Sequence, residues 1–269
     1  MAEKPHPVLT RYYRRDEDRR PFVTGLFDGG ARYYDRLCGL MSFGSGQWYR
    51  RWALERLPVR PGMAVLDVAT GTGMVARAAA QLVGNARTVV GLDPSIGMLR
   101  QARPRFAGPL VQGQVEDLPF GGGRFDVVTI GYALRHAADL DVAFRECARV
   151  LRPGGRILVL EISRPPSRRR SWLIRFYFMK LLPALMALST RNRHATMLSR
   201  YYWDTIAECV PPESIMQSLA RSGFVDVRRR VFAGMMSEYT ATRPPAGAGS
   251  ADRHLGGGDT AKPIAAEHA

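Results

Sequence analysis

An apolar run at 64–68 leads into Asp67-Val68-Ala69-Thr70-Gly71-Thr72-Gly73, and helical periodicity takes over at 74–83. A strand that turns through two glycines into a helix opens a βαβ unit, which commits the chain to a parallel sheet with crossover helices. Glycines let a ligand approach the backbone closely, and the free N–H groups that start the helix favour its polar or anionic atoms.

The alternation continues downstream. Further strands are expected at 88–92, 110–112, 125–130 and 156–161, with helices at 95–103 and 140–151. Arg152-Pro153-Gly154-Gly155 stops the last helix, because Pro and Gly end a helix and turn the chain. After the fifth strand the rhythm breaks, and 163–210 reads as a helical lid over the site with aromatic and basic residues interleaved. A helix at 212–222 and strands at 226–232 and 236–241, joined at Ala233-Gly234, then add a hairpin to the parallel sheet. The expected fold is α/β: a Rossmann-like, seven-stranded mixed sheet with an N-terminal helical segment and a lid inserted after the fifth strand. One domain spans 21–243. Residues 1–20 are charged, and 244–269 are rich in Gly, Ala and Pro, so both ends are expected to be flexible.

Asp93 ends the second strand twenty residues after Gly73, where a carboxylate can take both hydroxyls of a ribose. Gly71-x-Gly73-x-x-Ala76 also fits a dinucleotide fingerprint. Asp67, four residues before the first glycine, would repel a pyrophosphate but could hold the ammonium of a methionine moiety. Gln114-Val115-Glu116-Asp117 follows the third strand, where an adenine would be read. Ala69, Thr72, Pro94, Met98 and Gly131 complete the expected cofactor-binding set, and no metal is expected.

Three stretches extend the pattern: Tyr34-Asp35 with Leu40-Met41-Ser42-Phe43-Gly44; Ile130 to Arg135; and Arg149-Val150-Leu151-Arg152-Pro153-Gly154-Gly155-Arg156 through Glu161-Ile162-Ser163. In these the chain resembles the ubiquinone/menaquinone biosynthesis C-methyltransferases, the UbiE-type family of class I methyltransferases, over roughly 27–243. The resemblance implies S-adenosyl-L-methionine as cofactor and methylation of a ring carbon in a reduced, prenylated quinone. It also implies a catalytic site at Arg135, which would stabilise a phenolate, and at Tyr34 near the acceptor. His136 stands where the family carries an asparagine, and a histidine there could serve as a base. Gly46 replaces a family histidine, and Tyr49 a tryptophan, both on the acceptor side.

Lys and Arg number 39 against 24 Asp and Glu, a net charge of +15 that suits a polyanionic surface, although arginine bias in a GC-rich genome gives the same excess. Arg168-Arg169-Arg170 precedes Trp172, Phe176 and Tyr177, a pattern that fits an anionic leaflet or an ordinary cover helix. The segment 172–188 is interrupted by Arg175, Lys180 and Pro183 and reads as a poor spanning helix. Three scattered cysteines fit a reducing cytoplasm, and no apolar leader is seen. The expected partners are a small apolar aromatic or quinol acceptor and a membrane surface, without nucleic acid, and with a homodimer left open. A methyltransferase of specialised metabolism acting on a phenol, polyketide or lipid is the alternative function, and an RNA methyltransferase a more distant one.

Overall fold

The computed structural model describes residues 3–165 and 167–246. Three helices come first: α1 (Arg19–Gly30), α2 (Tyr34–Met41) and α3 (Gly46–Glu55). The sheet is built from β1 (Val65–Val68), β2 (Val89–Asp93), β3 (Leu110–Gln112), β4 (Phe125–Gly131), β5 (Leu151–Ile162), β6 (Val225–Phe232) and β7 (Met236–Thr242). Its order is β3-β2-β1-β4-β5-β7-β6, with β7 antiparallel to both neighbours. The expected seven-stranded mixed sheet is therefore the observed one. Helices α4 (Met74–Val83), α5 (Ile96–Ala102) and α6 (Leu140–Val150) make the crossovers. The lid consists of α7 (Arg168–Phe176), a π turn (Tyr177–Leu181), α8 (Leu182–Thr190) and α9 (Arg193–Glu208), after which α10 (Pro212–Arg221) returns to the sheet.

β1 and β2 are buried along their whole length, as strands covered on both faces must be. One core fills the α6 and α10 side of the sheet, around Leu66, Val128, Phe144 and Leu219; another fills the α3 and α4 side, around Leu54, Ala79 and Leu158. A third lies in the lid, where Tyr201, Tyr202 and Trp203 of α9 meet Leu26, Leu37, Phe178 and Met186.

Two sequence expectations differ from the structure. β5 starts at Leu151, five residues early, because Leu151 pairs with Phe125 and the Pro-Gly-Gly turn is tied to the end of β7 by Gly154 N to Arg243 O (2.9 Å) and Arg243 N to Gly155 O (2.8 Å). Residues 3–20 are placed on the body rather than free of it. Leu140 N donates to Glu3 O (2.9 Å), Val210 N to Pro5 O (2.8 Å) and Tyr12 Oη to Asp204 (2.6 Å), while Tyr13 is buried. A segment too polar to make a core can still complete one that exists. Most of the 244–269 tail lies outside the described residues.

Candidate active site

Ala69 (φ 53°) and Tyr132 (φ 62°) directly follow the neighbouring strands β1 and β4. Left-handed backbone at a non-glycine residue costs about 1–3 kcal/mol, so two such residues at adjacent strand ends mark where sheet geometry gives way to a site. Here the strand order also reverses, and a crevice opens at the carboxyl ends. The crevice is a cavity of about 570 Å³. Gly71 (φ 58°) and Gly73 (φ 79°) take the left-handed turns that lead into α4.

Asp93 is buried at the tip of β2 and lines this cavity. Its Oδ2 accepts from Gly71 N and its Oδ1 from Ser95 N, each at 2.8 Å, which leaves one acceptor position on each oxygen. Burial pushes its carboxyl up to about 7, against the two N–H bonds that favour the ionised form. A buried carboxylate short of partners is the donor-seeking group that two ribose hydroxyls would satisfy. Ala69, Gly71, Pro94, Met98, Gln114, Val115 and Gly131 share the same cavity wall.

Asp67, Thr72 and Gly73 do not line it. Asp67 Oδ2 accepts from Thr70 Oγ1 (2.6 Å) and Ala76 N (3.0 Å), and its Oδ1 from Thr129 Oγ1 (2.6 Å). Three of its four acceptor positions thus pin the glycine turn between β4 and α4, and burial raises its carboxyl to about 6. Thr72 Oγ1 donates to Asp35 (2.5 Å) and docks α2 on the turn. A Cβ on Gly73 would find ordinary contact distances to Phe106 and Ala102 (3.4 and 3.5 Å), so it is the left-handed φ of 79° that calls for glycine here.

The acceptor wall is aromatic. Tyr34 and Tyr202 share a hydrogen bond (2.7 Å). The His136 ring stacks on Tyr201 (centroids 5.5 Å, 19°) and meets Phe27 edge-on (5.2 Å, 69°), while both ring nitrogens are shut from solvent without a partner among the described residues. Burial, then the charge of Arg135 and those of His6 and Arg19, hold its pKa well below the usual histidine range, so it is a neutral imidazole at pH 7.

Arg135 sits elsewhere than expected. It is fully buried, ion-paired with Glu161 and bonded through Nε to Thr205 Oγ1 (3.1 Å), and its Cζ lies 4.7 Å from the Tyr202 ring centre. It is absent from the cavity wall, which Tyr202 lines instead. The expected N-terminal helical segment includes α1, but its side chains at the cavity are not among the expected site residues. Asp28 accepts from Ser95 Oγ (2.5 Å) and Gly97 N (2.8 Å), and Arg20, Thr24 and Phe27 close the cavity from that side. No local motif announces these residues, because they reach the site from a separate helix.

Residues 14–243 match the model of the ubiE/COQ5 methyltransferase family. The chain belongs to this family. A demethylmenaquinone methyltransferase of Mycolicibacterium gilvum is 35% identical over 82% of this chain and 95% of its own length. A ubiquinone/menaquinone biosynthesis C-methyltransferase UbiE of Shewanella is 33% identical over 78% and 86%. Solved structures agree on the fold. A SAM-dependent methyltransferase from Thermotoga maritima superposes with a TM-score of 0.59 at 18% identity, over 81% of this chain and 99% of that one. The phosphoethanolamine N-methyltransferase 2 of Haemonchus contortus, in complex with S-adenosyl-L-methionine, gives 0.56 at 19% identity, over 81% and 57%. The protein is an S-adenosylmethionine-dependent methyltransferase of the UbiE type, with the class I fold expected from the sequence.

Proposed function

We propose that this enzyme methylates a ring carbon of a reduced, prenylated quinone precursor, with His136 as the base. When bound, the cofactor supplies an electrophilic methyl group on a sulfonium sulfur. Asp93 holds its ribose, Gly71 and Ala69 let the turn close on it, and Gln114 and Val115 flank its adenine. Burial of Asp93 with only two donors supports that fit.

His136 carries the reading. A neutral imidazole set among Phe27, Tyr201 and Tyr202, with two nitrogens that no protein group occupies, can accept a ring hydroxyl once the acceptor parts the aromatic wall, and as a weak base it takes the proton only as the methyl group moves. The resulting phenolate makes its neighbouring ring carbon nucleophilic; that carbon takes the methyl and gives up its own hydrogen as a proton, the ring oxygen is reprotonated, and His136 releases its proton to solvent when the product leaves, while the same aromatic wall excludes water during the transfer. Arg135 acts from behind as a positioning residue that holds Tyr202 under its guanidinium. Tyr34, hydrogen-bonded to Tyr202, fixes the other side of the wall.

A prenylated acceptor is drawn from a bilayer, and the lid suits a peripheral place on the inner face of the membrane. Over Arg168–Thr190 the helices run on without a break and are long and apolar enough to cross a membrane by composition, yet Phe178, Leu182 and Met186 pack into the lid core. Trp172, Leu173 and Phe176 remain exposed beside Arg168, Arg169 and Arg170. A helix with one face committed to protein and the other to interfacial residues lies along a leaflet.

The test supplies S-adenosylmethionine with a short-chain demethylmenaquinol kept reduced. A product one methyl heavier, labelled on ring carbon, is expected. Methyl on oxygen, or no turnover with any quinol despite cofactor binding, would overturn the proposal.

A further inference from the structure

α8 ends at Arg191, whose φ of 51° is the left-handed conformation in which glycine is the usual helix terminator. The strained turn sets Arg191 at a groove of about 610 Å³ between the N-terminal segment, the end of α8 and the first half of α9. Arg193, Thr196, Met197 and Arg200 recur along α9 at the spacing of one helical stripe and line the same groove. Tyr12 and Phe22, with ring centroids 5.7 Å apart, add apolar surface. Arg11 is held by Asp204 (3.3 Å), whereas Arg191, Arg193 and Arg200 pair with no carboxylate among the described residues.

The charge here is one-sided. Between Glu161 and Asp204 the chain carries nine Lys and Arg and no acidic residue. A second copy of this face would bring like charges together, so the groove does not suit self-association. A soluble phosphate compound would leave its apolar part unused. The surroundings instead continue the apolar surface, for Leu188 is 83% exposed, and Leu185 and Met197 are exposed as well.

We propose that this groove holds the phosphate of an anionic phospholipid, with the acyl chains along the exposed side of α8. The idea deepens the leaflet reading given above by adding a second contact, roughly 30 Å along the 168–190 helix from Arg170 at 1.5 Å per residue. Cations at both ends of an apolar helix hold it flat on the surface, and neither contact depends on which acceptor is methylated.

The test uses the full chain with vesicles of phosphatidylcholine alone or mixed with phosphatidylglycerol. The variant combines Arg191→Gly, Arg193→Gln and Arg200→Gln; glycine suits the left-handed position, so the fold is kept and melting is unchanged. Binding to phosphatidylglycerol vesicles should weaken about fivefold per arginine, on the order of a hundredfold in all. Native mass spectrometry should show one phosphatidylglycerol retained by the wild type and lost from this variant. A variant neutralised at Arg168, Arg169 and Arg170 should bind vesicles less but still retain the single lipid, which separates the two contacts. Unchanged lipid retention in the groove variant, displacement of the lipid by millimolar inorganic phosphate, or equal binding to neutral vesicles would each overturn the proposal.

Discussion

The two halves of the cavity are built in different ways. The cofactor half comes from one stretch of chain, in which two glycines and the tips of β1 and β2 put Gly71 N 2.8 Å from Asp93. The acceptor half is assembled from α1, α2, the turn after β4 and α9, and its working surface is side chain rather than backbone. A half fixed by backbone tolerates little sequence change. A half made of side chains from four segments can be re-lined one residue at a time, and His136 falls there; Gly46 and Tyr49, expected on the acceptor side, instead lie on α3 off the cavity wall, where Tyr49 donates to Glu238 (2.7 Å) and packs on Trp52 and Phe232.

If the halves are separable, a change in one should leave the other intact. The largest effect is expected at His136. Replacement by Phe keeps the stack on Tyr201 but removes the nitrogens, and general-base contributions of about 10²- to 10⁴-fold should be lost from kcat. Cofactor affinity by calorimetry should stay within about twofold, since no cofactor contact is removed. Loss of both together would mean that the division is wrong.

Arg135 sharpens the comparison from the structural side. Arg135→Met leaves Glu161 buried without its cation, and breaking such a pair costs about 3–5 kcal/mol, visible as a large fall in melting temperature. Arg135→Met with Glu161→Gln should recover part of that stability. If the arginine instead touched the acceptor, the single variant would fold normally and lose turnover alone.

The strand-turn-helix around Gly71 and Gly73, and the place of Asp93 at the tip of β2, were legible in the sequence because they follow from spacing. Asp67 shows the limit of that reasoning. Its place in the motif is visible, but its partners Thr129 and Ala76 lie on elements that meet it only after folding. Arg135 has the same lesson, since nothing local says that Glu161 and Thr205 will enclose it. The packing of residues 3–20 on the body is not legible in composition, which reports what a segment can bury alone and not what it can cover.

The cofactor half should be broken by Asp93→Ala. Loss of a carboxylate that accepts two hydroxyls should weaken cofactor binding on the order of a hundredfold or more, at about 1.5–3 kcal/mol for each hydrogen bond to a charged group. The same carboxylate gives the half a pH dependence. Hydroxyl donors favour its ionised form, and in the free protein that form is lost as the pH falls through about 7. Cofactor affinity should therefore be level above pH 8 and fall by up to about tenfold for each unit below 7, until the carboxylate titrates in the complex as well. His136, held neutral to well below 6.5, should add no limb of its own at saturating cofactor between pH 6.5 and 8.

The smallest effect tests where the halves touch. Tyr34 lines the cavity beside Gly71, where a Cβ would lie 3.8 Å from its ring, and its hydroxyl bonds Tyr202 on the far wall. Tyr34→Phe removes one neutral hydrogen bond and leaves the Tyr202 hydroxyl to find another partner, a loss of about 0.5–1.5 kcal/mol. Because the ring stays, cofactor affinity should hold, while KM for the quinol rises a few-fold and kcat changes less. A rise confined to the cofactor constant would place Tyr34 with the backbone-built half, and the acceptor wall would then begin at Tyr202.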